Sequence, residues 1–410
     1  MAKNYASLYS SALDSSALNQ TLYVKQETVN GTMIAPTDSD FTFILEGGSM
    51  NFSQPLESSL HRSGRHNNNT ILKKKTLEWS YPTYINIDTG VAAGASEIED
   101  GIKTLWRSAL GRETIDVTGC AYDSANDPST TFTIFEVGDM WCKQGYGCFV
   151  DSAEIQFVGD GESQINWSGM GVESYLVGMS QSIIDNNGGN TVTVAAGEGK
   201  RFPVGSMVML VESDGVTRSA DTPNGSPRIV TDVTGDVVTL DGAVLADADG
   251  SVTPVYLVYY EPEAPVGIDN PQVGLVGDFI SASMGGQCVR NATISIANNH
   301  EPVNYCFGTD ALDGSIFVPA SRLEVTASVE INMSKANVGI YNDIQNQIAQ
   351  DLQFILGDST TRHLQVTLPR VEFTTPSIDV PSSGSIPVTF EGVAYQTSLD
   401  AADEIEVKYL

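Results

Sequence analysis

The run Leu77-Glu78-Trp79-Ser80-Tyr81-Pro82-Thr83-Tyr84-Ile85-Asn86-Ile87 places a bulky apolar side chain at nearly every second position, the period of a half-buried β-strand. A later run, Leu323-Glu324-Val325-Thr326-Ala327-Ser328-Val329-Glu330-Ile331-Asn332-Met333, repeats it at an offset of 323 − 77 = 246. Leu, Glu, Ile and Asn recur identically, and Ser/Thr and Ile/Met match in character. The same offset links IEDGIKTLWRSALG (Ile98–Gly111) to IQNQIAQDLQFILG (Ile344–Gly357). In the first, Ile98, Ile102, Leu105, Trp106, Ala109 and Leu110 fall on one helical face. In the second, Ile344, Ile348, Leu352, Ile355 and Leu356 do so. Gly111 and Gly357 each suit the left-handed position that ends a helix. Two motifs at one offset predict an internal duplication, each copy with one helix.

Working outward, strands follow the helices at shifted offsets. Phe132-x-Ile134 resembles Leu364-x-Val366-x-Leu368, and Ile155-Gln156-Phe157 resembles Val388-Thr389-Phe390 at 388 − 155 = 233. Gln164–Ser168 and Glu404–Tyr409 read as the closing strands. Before the shared strand each copy carries another strand and a long polar loop: Phe41–Phe52 then Ser53–Lys75, and Asn291–Ile296 then Ala297–Ser321. Between the copies Asn190–Ala195, Met207–Glu212, Pro227–Val233 and Val237–Leu240 read as short strands. Asn187-Gly188-Gly189, Asp214-Gly215, Asn224-Gly225, Thr234-Gly235 and Asp241-Gly242 are turn signals among them. The expected fold is mainly β, built of α+β units. It has an N-terminal arm (1–39), two tandem β-sandwich or barrel-like copies (40–175 and 264–410), each with one helix, and a small all-β barrel between them (176–263).

The chain of 410 residues carries 21 Lys+Arg against 51 Asp+Glu, a formal charge of −30. The deficit is even, net −11 over 1–175, −8 over 176–263 and −11 over 264–410. Such a surface repels nucleic acid, whose binding needs clustered cations. The one basic cluster, Lys73-Lys74-Lys75, is too short to reverse it. No apolar run reaches bilayer length, and Met1–Leu22 lacks the apolar core of a secretory signal, so synthesis in a cytoplasm is expected. Five widely spaced cysteines (Cys120, Cys142, Cys148, Cys288, Cys306) do not read as a disulfide framework.

The run Gly145-Tyr146-Gly147-Cys148-Phe149-Val150-Asp151-Ser152-Ala153-Glu154-Ile155-Gln156-Phe157, followed by Ile165-Asn166-Trp167-Ser168-Gly169-Met170-Gly171, resembles the C-terminal strands of siphophage tail tube domains. Those domains commonly end in an alternating strand and a Ser-Gly-x-Gly. Asn291–Ile296 through Asp403–Val407 is similar in order and pattern. The resemblance covers roughly 40–175 and 280–410 and leaves out the central segment. It implies six such domains per ring, rings stacked into a tube, and, with two domains per chain, a homotrimer of pseudo-sixfold symmetry. It further implies a place in the virion tail, partnership with tail tip, tape measure and terminator proteins, and DNA passing through without specific binding. The long loops carry ring stacking in that family. Here they would be Gln54–Lys75, with His61, Arg62, Arg65, Lys73, Lys74 and Lys75, and Asn298–Ser321, with His300. Lys73–Lys75 would face acidic groups of a neighbouring ring. An acidic lumen would let DNA slide, and Glu78, Glu154, Glu324, Glu330, Glu404 and Glu406 are the candidates to line it.

No catalytic constellation, P-loop, Gly-x-Ser-x-Gly or kinase signature is present, and no cofactor is implied. His61 and His66 lack partners at ligand spacing; Cys142-x5-Cys148 is too wide for a zinc knuckle; Asp247-Ala248-Asp249-Gly250 lacks the calcium-loop pattern. Two other classes remain in view. One is a glycan-binding virion surface protein, for which the central segment offers only Tyr256, Tyr259 and Tyr260 as sugar-stacking aromatics and no Trp. The other is the tube of a contractile injection apparatus.

Overall fold

The computed structural model describes residues 3–11, 20–45, 47–58, 62–63, 66–67, 70–72, 75–85, 98–116, 119–125, 130–159, 163–184, 189–219, 224–244, 254–263, 277–279, 289–303, 316–319, 321–335, 337–357, 363–378, 382–399 and 401–410. Within them the protein is mainly β. In chain order, helix α1 (Tyr5–Ser10) precedes strands β1 (Thr21–Gln26), β2 (Ser49–Ser53) and β3 (Thr76–Tyr84). Helix α2 (Asp100–Leu110) follows, then β4 (Gly111–Asp116), β5 (Gly119–Ser124), β6 (Phe132–Val137), β7 (Cys142–Val158), β8 (Gln164–Gly171) and β9 (Glu173–Val177). The central strands are β10 (Met179–Ile184), β11 (Thr191–Val194), β12 (Met207–Val211), β13 (Arg228–Thr234), β14 (Val237–Leu240) and β15 (Pro254–Tyr259). The last third holds β16 (Gly277–Phe279), β17 (Val289–Ala297), β18 (Glu324–Asn332), helix α3 (Asn337–Gln345), β19 (Gln350–Gly357), β20 (His363–Phe373), β21 (Pro387–Ala394) and β22 (Glu406–Tyr409).

The chain forms two compact units. The first gathers residues 1–42, 132–148 and 171–266. Its centre is a closed six-stranded barrel in the order β10-β11-β14-β13-β12-β15. The strands expected there from turn spacing are β11 to β14. Val192, Val208, Leu210, Val230, Val238 and Leu257 fill the barrel. Gly215 and Gly235 take positive φ at two of the expected turns. Residues 1–39, read as an arm, are instead built into this unit. Tyr5 Oη donates to Glu261 (2.7 Å), Lys3 pairs with the same carboxylate (3.0 Å), and β1 runs antiparallel to β6. The apolar faces of Tyr5 and of Leu22, Tyr23 and Val24 in β1 are buried, which a short amphipathic stretch hides when scanned for long periods.

The second unit gathers 43–131, 149–170 and 267–410. One layer runs β2-β3-β8-β7-β17-β18-β21. From β21 the sheet passes to β20, which also pairs with β19 and β22, and β22 leads to β5 and β4. Helix α2 anchors the core of this sandwich. Its apolar face is as expected, Asp100 sits in its first turn, and Gly111 closes it with φ 89°. Trp106 is fully buried, packs edge-on to Trp167 of β8 (4.7 Å between centroids) and donates its N–H to Tyr409 Oη of β22 (2.9 Å). One indole thus ties a helix to both layers.

The duplication is written in the ladder register. Asn51 faces Glu78 across β2/β3, and Ala297 faces Glu324 across β17/β18; 297 − 51 and 324 − 78 are both 246. Beyond the helix a second set of offsets takes over. Across β6/β7, Phe132 faces Cys148 and Ile134 faces Gly145, with a bulge between; across β19/β20, Gln350 faces Val371 and Leu352 faces Leu368, with a bulge in the same place. Val150 faces Gly169 across β7/β8, as Phe373 faces Gly392 across β20/β21; 373 − 150 and 392 − 169 are both 223. Gln144 faces Tyr175 across β7/β9, as Thr367 faces Glu406 across β20/β22. So β2, β3, α2, β6, β7, β8 and β9 recur in order as β17, β18, α3, β19, β20, β21 and β22. The β4/β5 hairpin has no counterpart.

This register corrects four expectations. Ile344–Gly357 is not one helix: α3 ends at Gln345, Gln347 turns with φ 58°, and Gln350–Gly357 is the strand β19. Leu352, Phe354 and Leu356 are spaced by two, while Leu352, Ile355 and Leu356 fit a helical stripe, so the pattern alone could not decide. Val388-Thr389-Phe390 matches Ile165-Asn166-Trp167 of β8 rather than Ile155-Gln156-Phe157, and the counterpart of Phe132–Ile134 is Gln350–Leu352. The closing strand β22 corresponds to β9, not to Gln164–Ser168.

Candidate functional site

The broad layer of the second unit has two unlike faces. In one row across it, Ile165, Ile155, Ile294, Ala327 and Gly392 stand side by side, all buried. One residue along each strand, the side chains point the other way: Asn166, Glu154, Ser295 and Thr326 form one row, and Gln164, Gln156, Thr293, Ser328 and Glu391 the next. Strand alternation makes this second face largely polar, broken by Val393 opposite Thr326 and Val158 opposite Asn291, and these rows are acidic where charged. It continues across the β7/β17 ladder, Ser152–Val158 against Asn291–Ala297, where the first copy meets the second.

Four of the six glutamates singled out from sequence lie on strands of this layer, Glu78, Glu154, Glu324 and Glu330, while Glu406 alternates outward on β22, which pairs with β20 and β5 instead. Glu330 is paired with Arg290 (3.0 Å) and Glu406 with Lys408 (2.6 Å). Glu78, Glu154 and Glu324 have no ion-pair partner among the described residues. The sixth departs from the set. Glu404 lies in the turn before β22 and accepts hydrogen bonds from Ser124 Oγ (2.6 Å) and Gln396 Nε2 (2.9 Å). Ser124 belongs to the buried face of β5, so Glu404 serves as a polar strut there. Sequence reasoning missed Asp123, which stands directly opposite Glu406 across β5/β22. Burial and then the facing Glu406 carboxylate raise its pKa above the ordinary aspartate value.

The two polar loops are hairpin excursions. In the first, Leu56–Ser58 pairs with Thr70–Leu72, and Arg62–Ser63 with His66–Asn67. Lys75 holds its ammonium 5.9 Å from the Phe52 ring. His61, Arg65, Lys73 and Lys74, and the side chain of Arg62, lie outside the described residues. In the second, His300–Val303 pairs with Ile316–Pro319. His300, expected as a loop-surface contact, is instead a buried anchor. Its backbone N–H donates to Asp151 Oδ1 (2.7 Å), its Nδ1 lies 3.4 Å from the same oxygen, and its ring packs tilted by 56° against Phe149 (4.7 Å between centroids). Burial alone would raise the Asp151 pKa, but the side-chain and backbone hydrogen bonds from His300 outweigh it and bring the carboxyl below its usual value.

Beside His300 sits Asn298, which carries no sequence signal of its own. Its Nδ2 donates to Ala109 O (3.0 Å) and Val150 O (2.9 Å), and its backbone N–H to Asp151 O (2.8 Å). Ser108 Oγ accepts from Val150 N–H (3.0 Å). The second copy is thereby clamped to the end of α2 and to β7 of the first. Cys120, Cys142 and Cys148 are buried, and burial pushes the thiols of Cys142 and Cys148 well above the ordinary range. Among the described residues no group of three His, Cys, Asp or Glu is placed to hold a metal ion. No protein-family model matches the chain, and no curated protein matches its sequence.

Proposed function

We propose that this chain is a structural subunit that assembles with itself into rings stacked as a tube, the major tail tube protein of a long-tailed phage. The observation that carries this reading is the duplicated ladder. Two copies of one α+β unit are joined laterally, strand to strand, by a head-to-tail seam that keeps the polar face continuous. A heterologous seam of this kind, when repeated, closes a ring if its rotation closes and otherwise winds a filament. Three chains would supply six copies. On this reading the polar face, with Glu78, Glu154, Glu324 and Glu330, lines the channel and repels DNA phosphate, the converse of counterion-release binding, and Glu406 on β22 lies outside that lining. The two excursions project toward neighbouring rings. The sugar-stacking alternative gains nothing from the barrel, because Tyr256, Tyr259 and Tyr260 are all buried.

The test is negative-stain electron microscopy of the concentrated protein beside its mass by light scattering. Hollow tubes or six-lobed trimeric rings are expected. A lasting monomer that forms neither, even when seeded with tail tips, overturns the reading.

A further inference from the structure

The internal seam leaves two equivalent edges that have no mate among the described residues, and the repeat says which residues they are. In the seam, Ser152, Ala153, Glu154 and Ile155 of β7 face Ala297, Ile296, Ser295 and Ile294 of β17. Adding 223 to the first set, as the β7/β20 register requires, gives Thr375, Pro376, Ser377 and Ile378. Subtracting 246 from the second, as the β2/β17 register requires, gives Asn51, Met50, Ser49 and Gly48. Both targets are open. Among the described residues β2 pairs with β3 alone. The β20 ladder gives out after Thr374, whose N–H still reaches Glu391 O (2.8 Å), and 375–378 belong to no strand.

We infer that Thr375–Ile378 of one chain adds as a strand to Gly48–Asn51 of a second copy of this chain, with Ser377 opposite Ser49. This rests on the self-assembly reading above but names a seam that can fail by itself. Burial supports it. Ile155 is 0 % exposed in the internal seam, whereas its counterpart Ile378 is 38 % exposed. Phe52, the counterpart of Asn298, is 40 % exposed, and the counterpart of the Val150 that Asn298 grips is Phe373. The register therefore brings the Phe52 and Phe373 rings together where the internal seam has an amide on a carbonyl. Pro376 replaces Ala153, whose N–H side faces β17 in the internal seam, so the new seam forms with one ladder hydrogen bond fewer at this position. Unpaired strand edges are templates for another chain, and this one finds its complement in its own sequence. The second internal ladder, β5 with β22, cannot be repeated, because the β4/β5 hairpin has no copy.

The test is cysteine cross-linking in the full chain. Ser49→Cys with Ser377→Cys is expected to give disulfide-linked multimers under mild oxidation, while each single variant gives none. Glu154→Cys with Ser295→Cys, the same register inside the chain, is expected to link without change of mass and calibrates the reaction. Ser53→Cys with Ser377→Cys, four residues out of register, is expected not to link. Ile378→Asp is expected to leave the fold intact and hold the protein as a monomer by light scattering. Tubes that form while the Ser49/Ser377 pair stays unlinked overturn this seam and leave the tube reading standing. Linked multimers that never form rings or tubes uphold the seam and overturn the tube. A monomer that neither links nor assembles overturns both.

Discussion

Ile98–Gly111 and Ile344–Gly357 lie 246 residues apart, carry similar apolar stripes and end in glycine, yet one is the helix α2 and the other is mostly the strand β19. The difference lies in what each stretch must meet. The linker from β3 to α2 spans 85–99, whereas that from β18 to α3 spans only 333–336. With the shorter linker the helix starts and finishes earlier, and the chain reaches β19 where the first copy is still helical. Side-chain spacing reports a preference, while ladder register reports the partner that won. Within the duplicated strands register and pattern agree: Leu77, Trp79 and Tyr81 are buried, as are Val325 and Ala327, and Glu78 and Glu324 are both exposed.

The largest effect that would sharpen this contrast is at the helix anchor. Trp106→Ala removes a fully buried indole and its bond to Tyr409, and should cost about 3–5 kcal/mol by denaturant unfolding. Ile340→Ala in α3 should cost about 2–4 kcal/mol, because the side chain is smaller and the helix shorter. An equal loss at both sites would mean that the two helices bear the same load despite their different linkers.

Next come the paired glycines. A Cβ on Gly169 would lie 1.9 Å from the Phe149 carbonyl oxygen, which belongs to a ladder strand and cannot retreat. On Gly392 it would lie 2.7 Å from Phe373 Cδ1 and 2.8 Å from Glu372 O. Gly169→Ala should therefore lose about 3 kcal/mol and Gly392→Ala about 1–2 kcal/mol, measured by thermal melts. The reverse order would break the proposed equivalence of β8 and β21.

Smaller still is the Asn298 clamp. Asn298→Ala leaves the Ala109 and Val150 carbonyls without their donor and should cost about 1–3 kcal/mol. The smallest effect is electrostatic. Because Asp123 has a raised pKa when folded, its penalty is absent below the ordinary aspartate pKa and grows as pH rises through the folded value. Asp123→Asn should thus stabilise the fold at neutral pH by at most about 1 kcal/mol, discounted because the pair is partly exposed, and the gain should vanish below about pH 4. A gain that persists in acid would show that the cost of ionising Asp123, set by burial and then by the facing Glu406, is not its cause.

Much of this architecture was legible in the residues. The Leu77 and Leu323 runs carry enough alternation to locate one strand of each copy and the face each turns inward. Positive-φ glycines at 215 and 235 punctuate the barrel, because a turn demands a conformation that other residues resist. Other features left no local mark. β7 is one strand of 17 residues through a bulge at Gly147, with φ 60°, and nothing between Cys142 and Val158 announces such length. His300 and Asn298 look like polar loop residues until the fold presents Asp151 and the Val150 carbonyl to them. Glu404 reads as part of an alternating strand, yet the strand begins at Glu406. Long-range pairing decides these cases, and a one-dimensional pattern does not contain it.

The clamp at Asn298 also bears on fidelity. Asn298 and Phe52 hold equivalent posts, one offering an amide and the other a phenyl ring. A chain that tried to dock a first copy onto another first copy would set that ring against the bare carbonyls of Ala109 and Val150. A second copy docked onto a second would press an amide against Phe373. Each wrong order strands a polar group or an apolar one, so in the inferred assembly the mismatch itself would favour alternation of the copies.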